Sequence, residues 1–279
     1  MNNKKNLSFF SGSFSKLAMR FTILFAVIVP IADAFVLSPV CDTVLANIGD
    51  GILYEVLGKI SELAVTSAFL AQCAIIVCCI FAGYNKLAVR LFWIEGLSFL
   101  FLVVLLKPAV LWINAVIDEH ILSELGTFVI SNYTLAQMHD DLLVWWSMIS
   151  YFMNVLMLLV VMIAAFFAAK FRVSSIRATG RKLSHETLVA GLFKNSPINS
   201  SVAVPVIVYL LTQLVFCVTD TVDSIETYGA PVLVSEYLFL ILPFVYKIGF
   251  AIVGYFVCQY IAYAMISSLG KSGEFYEKI

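Results

Sequence analysis

The chain has 279 residues, of which 62% are hydrophobic and 13% are charged, and its formal net charge is −1. An ordinary soluble domain is about half apolar and a quarter charged, so this composition indicates a membrane protein rather than a soluble one. The absence of a basic excess argues against a nucleic-acid-binding domain.

Hydrophobic runs recur along the whole chain. A transmembrane helix needs about 20 largely apolar residues to cross the hydrocarbon core. The runs predict an all-α membrane protein, a polytopic helical bundle with five to six transmembrane helices. The last run is too long for one upright crossing, so it must tilt, kink near Pro243 or extend beyond the membrane. The predicted spans are Phe21–Leu37, Leu63–Phe81, Leu91–Leu106, Leu142–Ala169, Val202–Val218 and Tyr237–Leu269.

Residues 1–34 allow two interpretations. A basic region precedes the apolar core Phe21–Ala32, and the small-x-small sequence Ala32-Asp33-Ala34 follows it. This layout is typical of a secretory signal peptide, and cleavage after Ala34 would leave five spans. The same segment is also compatible with a retained first span, which would make six.

Basic residues fall on alternate segments of the chain. They precede the first span, lie between the second and third and between the fourth and fifth, and follow the sixth. The positive-inside rule therefore places the basic loop 170–200 and the tail 270–279 in the cytoplasm. A basic loop at that position is expected to lie close to anionic lipid headgroups. Acidic residues concentrate on the opposite, external segments.

The external segment 35–62 is amphipathic rather than merely polar. From Val44 to Leu63, apolar residues recur at three- and four-residue steps, as one face of a helix requires. A second such stretch runs from Ala109 to Ile130. These predicted helices either cover the outer rims of the spans or dock to a partner, because an exposed apolar face must meet something.

Sequence motifs for catalysis are absent. His185-Glu186 lacks the second histidine of a zincin helix, and neither a nucleophile elbow nor a phosphate-binding glycine loop occurs. We therefore expect no enzyme activity and no cofactor. The best candidates for a metal site share one external loop, but a solvated acidic loop is the simpler interpretation, so no metal is predicted. These candidates are His120, His139, Asp140 and Asp141.

Charged residues within apolar runs are the best candidates for functional positions, because a charge inside a bilayer is costly. They are Asp33 in the first segment, Glu95 in the third span and Lys247 in the sixth. Two hypotheses remain open for Glu95 and Lys247. They form a neutralising pair within the bundle, or they line a polar cavity as a substrate or proton site.

Uncharged polar and sulfur-containing side chains in the spans suit structural roles. Four uncharged polar residues are suited to interhelical hydrogen bonds, and they are Gln72, Asn154, Thr212 and Gln213. Cys73, Cys78 and Cys79 lie in one apolar run and are predicted to act as small hydrophobic residues.

The order of segments resembles a known family. A basic region ending in Ala32-Asp33-Ala34, an external amphipathic stretch Val44–Leu63 and the later spans are similar in layout to the polytopic inner-membrane subunits of type IV secretion and conjugation systems. The resemblance covers most of the chain as architecture and carries over no functional residue. It implies a bacterial inner membrane and several protein partners.

Two functions follow as expectations. The first is a non-catalytic, multi-pass subunit of a translocation or secretion complex, with the bilayer, other subunits and further copies of this chain as partners, and without sequence-specific nucleic-acid binding. The alternative is a small-solute transporter or permease. Buried charges and helix breaks line transport paths, and this chain offers Glu95, Lys247, Pro30, Pro205 and Pro243.

Overall fold

A computed structural model describes the chain over six stretches, and the account below is confined to them. Within these stretches the backbone is almost entirely helical and forms no strand, so the predicted all-α class is confirmed. The described residues are 13–33, 36, 59–101, 142–179, 197–228 and 234–272.

The described helices are named here in chain order. They are α1 (Phe14–Ala32), α2 (Ile60–Phe81), α3 (Asn85–Leu100), α4 (Leu142–Ala178), α5 (Pro197–Tyr228) and α6 (Val234–Ser272).

Among the described residues, five helices contain a stretch that is long and apolar enough to cross a membrane, which agrees with a multi-pass membrane protein. The predicted third span, Leu91–Leu106, is described only as far as residue 101, and α3 itself is 16 residues long. The five stretches are Phe14–Ala32, Glu62–Phe81, Leu156–Ala178, Pro197–Val222 and Ile241–Leu269.

Helix α1 changes its winding along its length. It is α-helical over Phe14–Thr22, π-helical over Ile23–Ile28 and α-helical again over Val29–Ala32. The wide π turns directly precede Pro30, which has no backbone N–H to donate and whose ring crowds the carbonyl four residues earlier. The buried side chains of its first half lie on one helical face: Phe14, Leu17, Ala18, Phe21 and Thr22.

Helix α2 is the centre of the bundle. It packs against α1, α5 and α6, and its side chains from Ala68 to Ala82 are all 4% exposed or less. A helix that is apolar all round has no solvent-facing side and is stable only when neighbours cover it. The sequence of α2 is therefore compatible with the central position that the structure gives it.

Gly83 ends α2 and directs the chain into α3. Its φ of +79° lies in the left-handed region that favours glycine. The Tyr84 N–H donates to the Cys79 carbonyl and the Gly83 N–H donates to the Ile80 carbonyl, which is the Schellman arrangement. The Tyr84 ring then stacks on the Phe14 ring of α1, with 5.1 Å between the ring centroids. The turn therefore ties α1, α2 and α3 together at one end of the bundle.

Small residues bring α2 and α6 close together. A methyl group placed on Gly254 of α6 would lie 2.5 Å from the Leu70 Cδ1 atom of α2, so only glycine fits there without displacing Leu70. Ala251, Cys258 and Ala262 of α6 are fully buried as well. Small residues four positions apart let helix backbones approach in a membrane, and Gly254, Cys258 and Ala262 follow this spacing.

Helices α4, α5 and α6 are longer than the predicted spans. Helix α6 has 39 residues, or about 58 Å at 1.5 Å per residue, which exceeds the hydrocarbon thickness of about 30 Å. It is continuous, with Pro243 inside it. Helix α4 extends to Ala178 and α5 begins at Pro197, so both ends of the predicted loop 170–200 are helical.

The chain divides into two compact units, residues 1–95 with 160–279 and residues 96–159. The first unit contains α1, α2, α5 and α6. In the second unit, a methyl group on Gly96 would lie 3.3 Å from the Leu159 Cδ2 atom, a tight approach. Most of the predicted segment 35–62, the stretch Ala109–Ile130 and residues 273–279 of the tail lie outside the described residues.

The contact between Gly254 and Leu70 predicts a large effect of side-chain volume at one glycine of α6. Gly254→Leu should destabilise the folded protein by about 1–3 kcal/mol, because the new side chain overpacks the interface with α2. The matched control is Gly249→Leu, since no atom lies within 4 Å of a methyl group placed there.

Both substitutions improve helix propensity equally, by roughly 1 kcal/mol. The difference in unfolding free energy between the two variants therefore reports packing alone. Unfolding in detergent, followed by circular dichroism during an SDS titration, measures it. Equal midpoints for the two variants would contradict the close approach.

Candidate functional site

An ion pair joins α6 to the start of α2. The Lys247 ammonium contacts Glu62 Oε1, and the two side chains are 22% and 31% exposed. Lys247 lies six residues inside the apolar stretch that begins at Ile241, about 9 Å along the helix. The long lysine side chain and the glutamate side chain extend toward each other, so the ammonium lies beside the carboxylate at the start of α2.

Lys59 completes a cluster of three charges. Its Nζ donates to Glu62 Oε2 at 3.3 Å, and its side chain is more exposed than those of Glu62 and Lys247. Each oxygen of the Glu62 carboxylate therefore faces one ammonium group. The Lys59–Glu62 pair is a surface pair three residues apart and contributes little, whereas the Lys247–Glu62 pair connects two helices.

Of the two open hypotheses for Glu95 and Lys247, the structure contradicts the one in which they pair with each other. Glu62 is the partner of Lys247. Sequence reasoning missed it because Glu62 was assigned to the external segment 35–62, one residue before the predicted span. The signal was available in the sequence, since Glu62 precedes the predicted span by one residue and a long lysine side chain carries its charge toward the border of the membrane.

Glu95 is buried, and no partner for it lies among the described residues. It is 0% exposed, and neither carboxylate oxygen has a hydrogen-bond partner among the described residues. It shares the buried face of α3 with Ala88 and Leu91. A buried polar group without a partner is costly, and such groups in membrane proteins mark functional positions.

Asp33, the third predicted charge, lies directly after α1, where its side chain is half-buried. Its backbone N–H donates to the carbonyls of Val29 and Pro30, which closes the last turn. Of the three predicted residues, the structure brings Lys247 to a carboxylate from another helix. The functional roles of Asp33, Glu95 and Lys247 remain predictions.

Two buried hydrogen bonds tie α2 to its neighbours. Gln72 Nε2 donates to Thr22 Oγ1 of α1 at 3.1 Å, which confirms the predicted interhelical role of Gln72. The hydroxyls of Thr66 and Tyr209 lie 3.3 Å apart and join α2 to α5. Sequence reasoning missed this second pair, although a tyrosine in an apolar run needs a partner for its hydroxyl. Thr212 instead donates to the Tyr209 carbonyl within α5.

The thiols of α2 are part of the packing. Cys73, Cys78 and Cys79 are all 0% exposed, as is Cys258 of α6, so the prediction that this cysteine run behaves as small hydrophobic residues is confirmed. In the described stretches, no group of three or more histidine, cysteine or acidic side chains is placed to hold a metal ion. The low-priority candidates His120, His139, Asp140 and Asp141 lie outside the described residues.

Comparison with known proteins gives no relative for this architecture. The chain matches no protein-family model, no curated protein and no solved structure. The residues and their geometry therefore carry the functional argument alone.

The ion pair predicts energetic coupling between α2 and α6. In a double-mutant cycle of Lys247→Met and Glu62→Gln, we expect a coupling energy of about 1 kcal/mol, because either single change leaves a charge at the apolar border without its partner. SDS-titration unfolding of the four proteins measures this coupling.

The control cycle combines Glu62→Gln with Lys59→Met in place of Lys247→Met. Its coupling energy should be about 0.5 kcal/mol or less, as is usual for surface pairs. Coupling that is equal in the two cycles would show that Lys247 has no special relation to Glu62.

Proposed function

We propose that the chain is a non-catalytic, multi-pass membrane subunit of a multiprotein translocation or secretion complex of the conjugation type. The observation that carries this proposal is the close packing around α2 in the described part of the bundle. Helix α2 is enclosed by three neighbours, and the Lys247 charge is engaged by Glu62. A transport path would need polar groups facing a cavity, whereas these groups face each other.

The outer faces of the long helices support the same proposal. Helix α4 exposes Val160, Ile163, Phe167 and Phe171 at three- and four-residue steps. Helix α5 exposes a similar aliphatic face, which consists of Ile207, Leu211, Leu214, Val215, Val218 and Val222. Such faces meet lipid or other transmembrane helices, so they provide area for association with partner subunits or further copies of the chain.

The proposed location is a bacterial inner membrane with the basic segments in the cytoplasm. The positive-inside distribution supports this orientation. The packing of α1 supports a retained first span over a cleaved signal peptide, because Thr22 accepts a hydrogen bond from Gln72 and five apolar side chains of α1 are buried.

The intact mass of the purified protein tests whether residues 1–34 are retained. We expect the mass of the full chain, because removing α1 would uncover one side of α2 and leave Gln72 Nε2 without its acceptor. A mass reduced by residues 1–34 would contradict this expectation.

A small-solute transporter is the second candidate, and one observation favours it. Glu95 is a buried carboxyl group with no hydrogen-bond partner among the described residues, and a group of this kind is used to bind a cation or proton in transporters. This candidate requires that Glu95 become accessible in another conformation.

Copurification separates the two candidates. After gentle detergent extraction from its native membrane, a subunit should migrate well above its monomer mass, together with the same membrane proteins in repeated preparations. Deleting the gene should abolish the translocation activity of that complex. Migration as an isolated monomer or as copies of this chain alone would contradict the subunit proposal.

Proton flux into proteoliposomes, read with a pH-sensitive dye, provides the other half of this test. If the chain is a subunit, wild type and Glu95→Gln should both show only the background flux of empty vesicles. A flux in the wild type that Glu95→Gln abolishes would instead support the transporter.

A further inference from the structure

A groove lies at the end of the bundle where α2 and α4 both finish. It has a volume of about 530 Å³ and is formed by the end of α2, the start of α3 and the last turns of α4. Ile80 and Val173 lie on its apolar side, and Lys170, Ser174 and Arg177 supply its polar groups together with Asn85.

The groove lies at the level where the apolar stretches end. The candidate span of α2 ends at Phe81 and that of α4 ends at Ala178. Ile80 and Arg177, which line the groove, are therefore at the border between hydrocarbon and headgroups. Lipid headgroups are the molecules present at this level in every membrane, so a ligand of the groove must share this layer with them.

The described residues that adjoin the groove in α3 and α4 carry only basic charges. Residues 82–94 and 160–179 contain no aspartate or glutamate. Besides Lys170 and Arg177 in the groove, they hold Lys86, Arg90 and Arg172, each exposed. Basic pockets between transmembrane helices at such a border suit phosphate-bearing headgroups, because guanidinium and ammonium groups donate charge-assisted hydrogen bonds to phosphate oxygens.

The groove also has a surface for acyl chains. Phe167 and Phe171 line it and are 63% and 77% exposed, so their rings face outward from the bundle. The Lys170 Nζ lies 5.1 Å from the centroid of the Phe166 ring, a cation–π contact that holds the ammonium beside the groove. Polar groups and exposed apolar rings therefore adjoin each other, as the two parts of a phospholipid do.

We propose that this groove binds one anionic phospholipid, with Lys170 and Arg177 on the phosphate, Asn85 and Ser174 as further hydrogen-bond donors, and Phe167 and Phe171 against the acyl chains. The proposal depends on the membrane location and the groove alone, and it holds for a complex subunit and for a transporter equally. It assigns Lys170 and Arg177 to a specific site rather than to a diffuse basic surface.

Native mass spectrometry of the full chain in detergent, with lipid added to the sample, tests the proposal. The wild type should retain phosphatidylglycerol and not phosphatidylcholine. The double variant Lys170→Gln/Arg177→Gln should bind phosphatidylglycerol about 25-fold more weakly, since each basic residue near a membrane surface contributes about fivefold.

The matched control is Lys86→Gln/Arg90→Gln, which removes the same two charges from the same border but from side chains that do not line the groove. It should bind phosphatidylglycerol nearly as well as the wild type. An equal loss in both double variants would overturn the site in favour of diffuse electrostatics.

Two measurements on the wild type alone keep the proposal falsifiable if the variants fold poorly. Equal retention of phosphatidylglycerol and phosphatidylcholine would overturn it. Displacement of the lipid by millimolar inorganic phosphate would also overturn it, because the groove would then recognise free phosphate rather than a lipid.

Discussion

The close approach of α2 and α6 is the constraint on which the rest of the bundle depends. Association of helices in a bilayer gains little from hydrophobic burial, because lipid tails are as apolar as the side chains. Packing must supply the stability instead, and packing needs backbones that come close. Gly254 against Leu70 provides that approach, and the buried Ala251, Cys258 and Ala262 extend it along α6.

Other contacts of α2 follow from this central placement. Once α2 lies against α6, Glu62 at its start meets Lys247, and Gln72 meets Thr22 of α1. Thr66 reaches Tyr209 of α5 on the remaining side. Each polar contact connects α2 to a different neighbour, so the three together fix the rotation and depth of α2 in a way that apolar packing alone does not. Glu95 is the exception, since its carboxyl group is buried without such a contact in the part of the chain that the structure describes.

The sequence predicted the helices far better than their partners. Apolar runs located α2 and the last helix, and the cysteine run was correctly assigned to the interior, because these conclusions depend only on local composition. The pairing of Lys247 depends on which helices are neighbours. Spans that are apolar on every side have no amphipathic face, so their sequences do not indicate which helix packs against which side. The predicted fourth span ends at Ala169, whereas the helix that contains it, α4, continues through basic residues to Ala178.

Disulfide crosslinking between α2 and α6 tests the central placement most directly. A β-carbon at position 254 would lie 3.6 Å from the Leu70 Cβ atom, within the range of about 3.5–4.5 Å that a disulfide requires. With the native cysteines replaced by alanine, Leu70→Cys/Gly254→Cys should crosslink on mild oxidation in the membrane, whereas Leu70→Cys/Gly249→Cys should not. A protease site inserted between α4 and α5 makes the readout clear, because only a crosslinked chain stays joined after cleavage. Failure of the 70–254 pair to crosslink, or equal crosslinking of the control pair, would contradict the placement of α2 against α6.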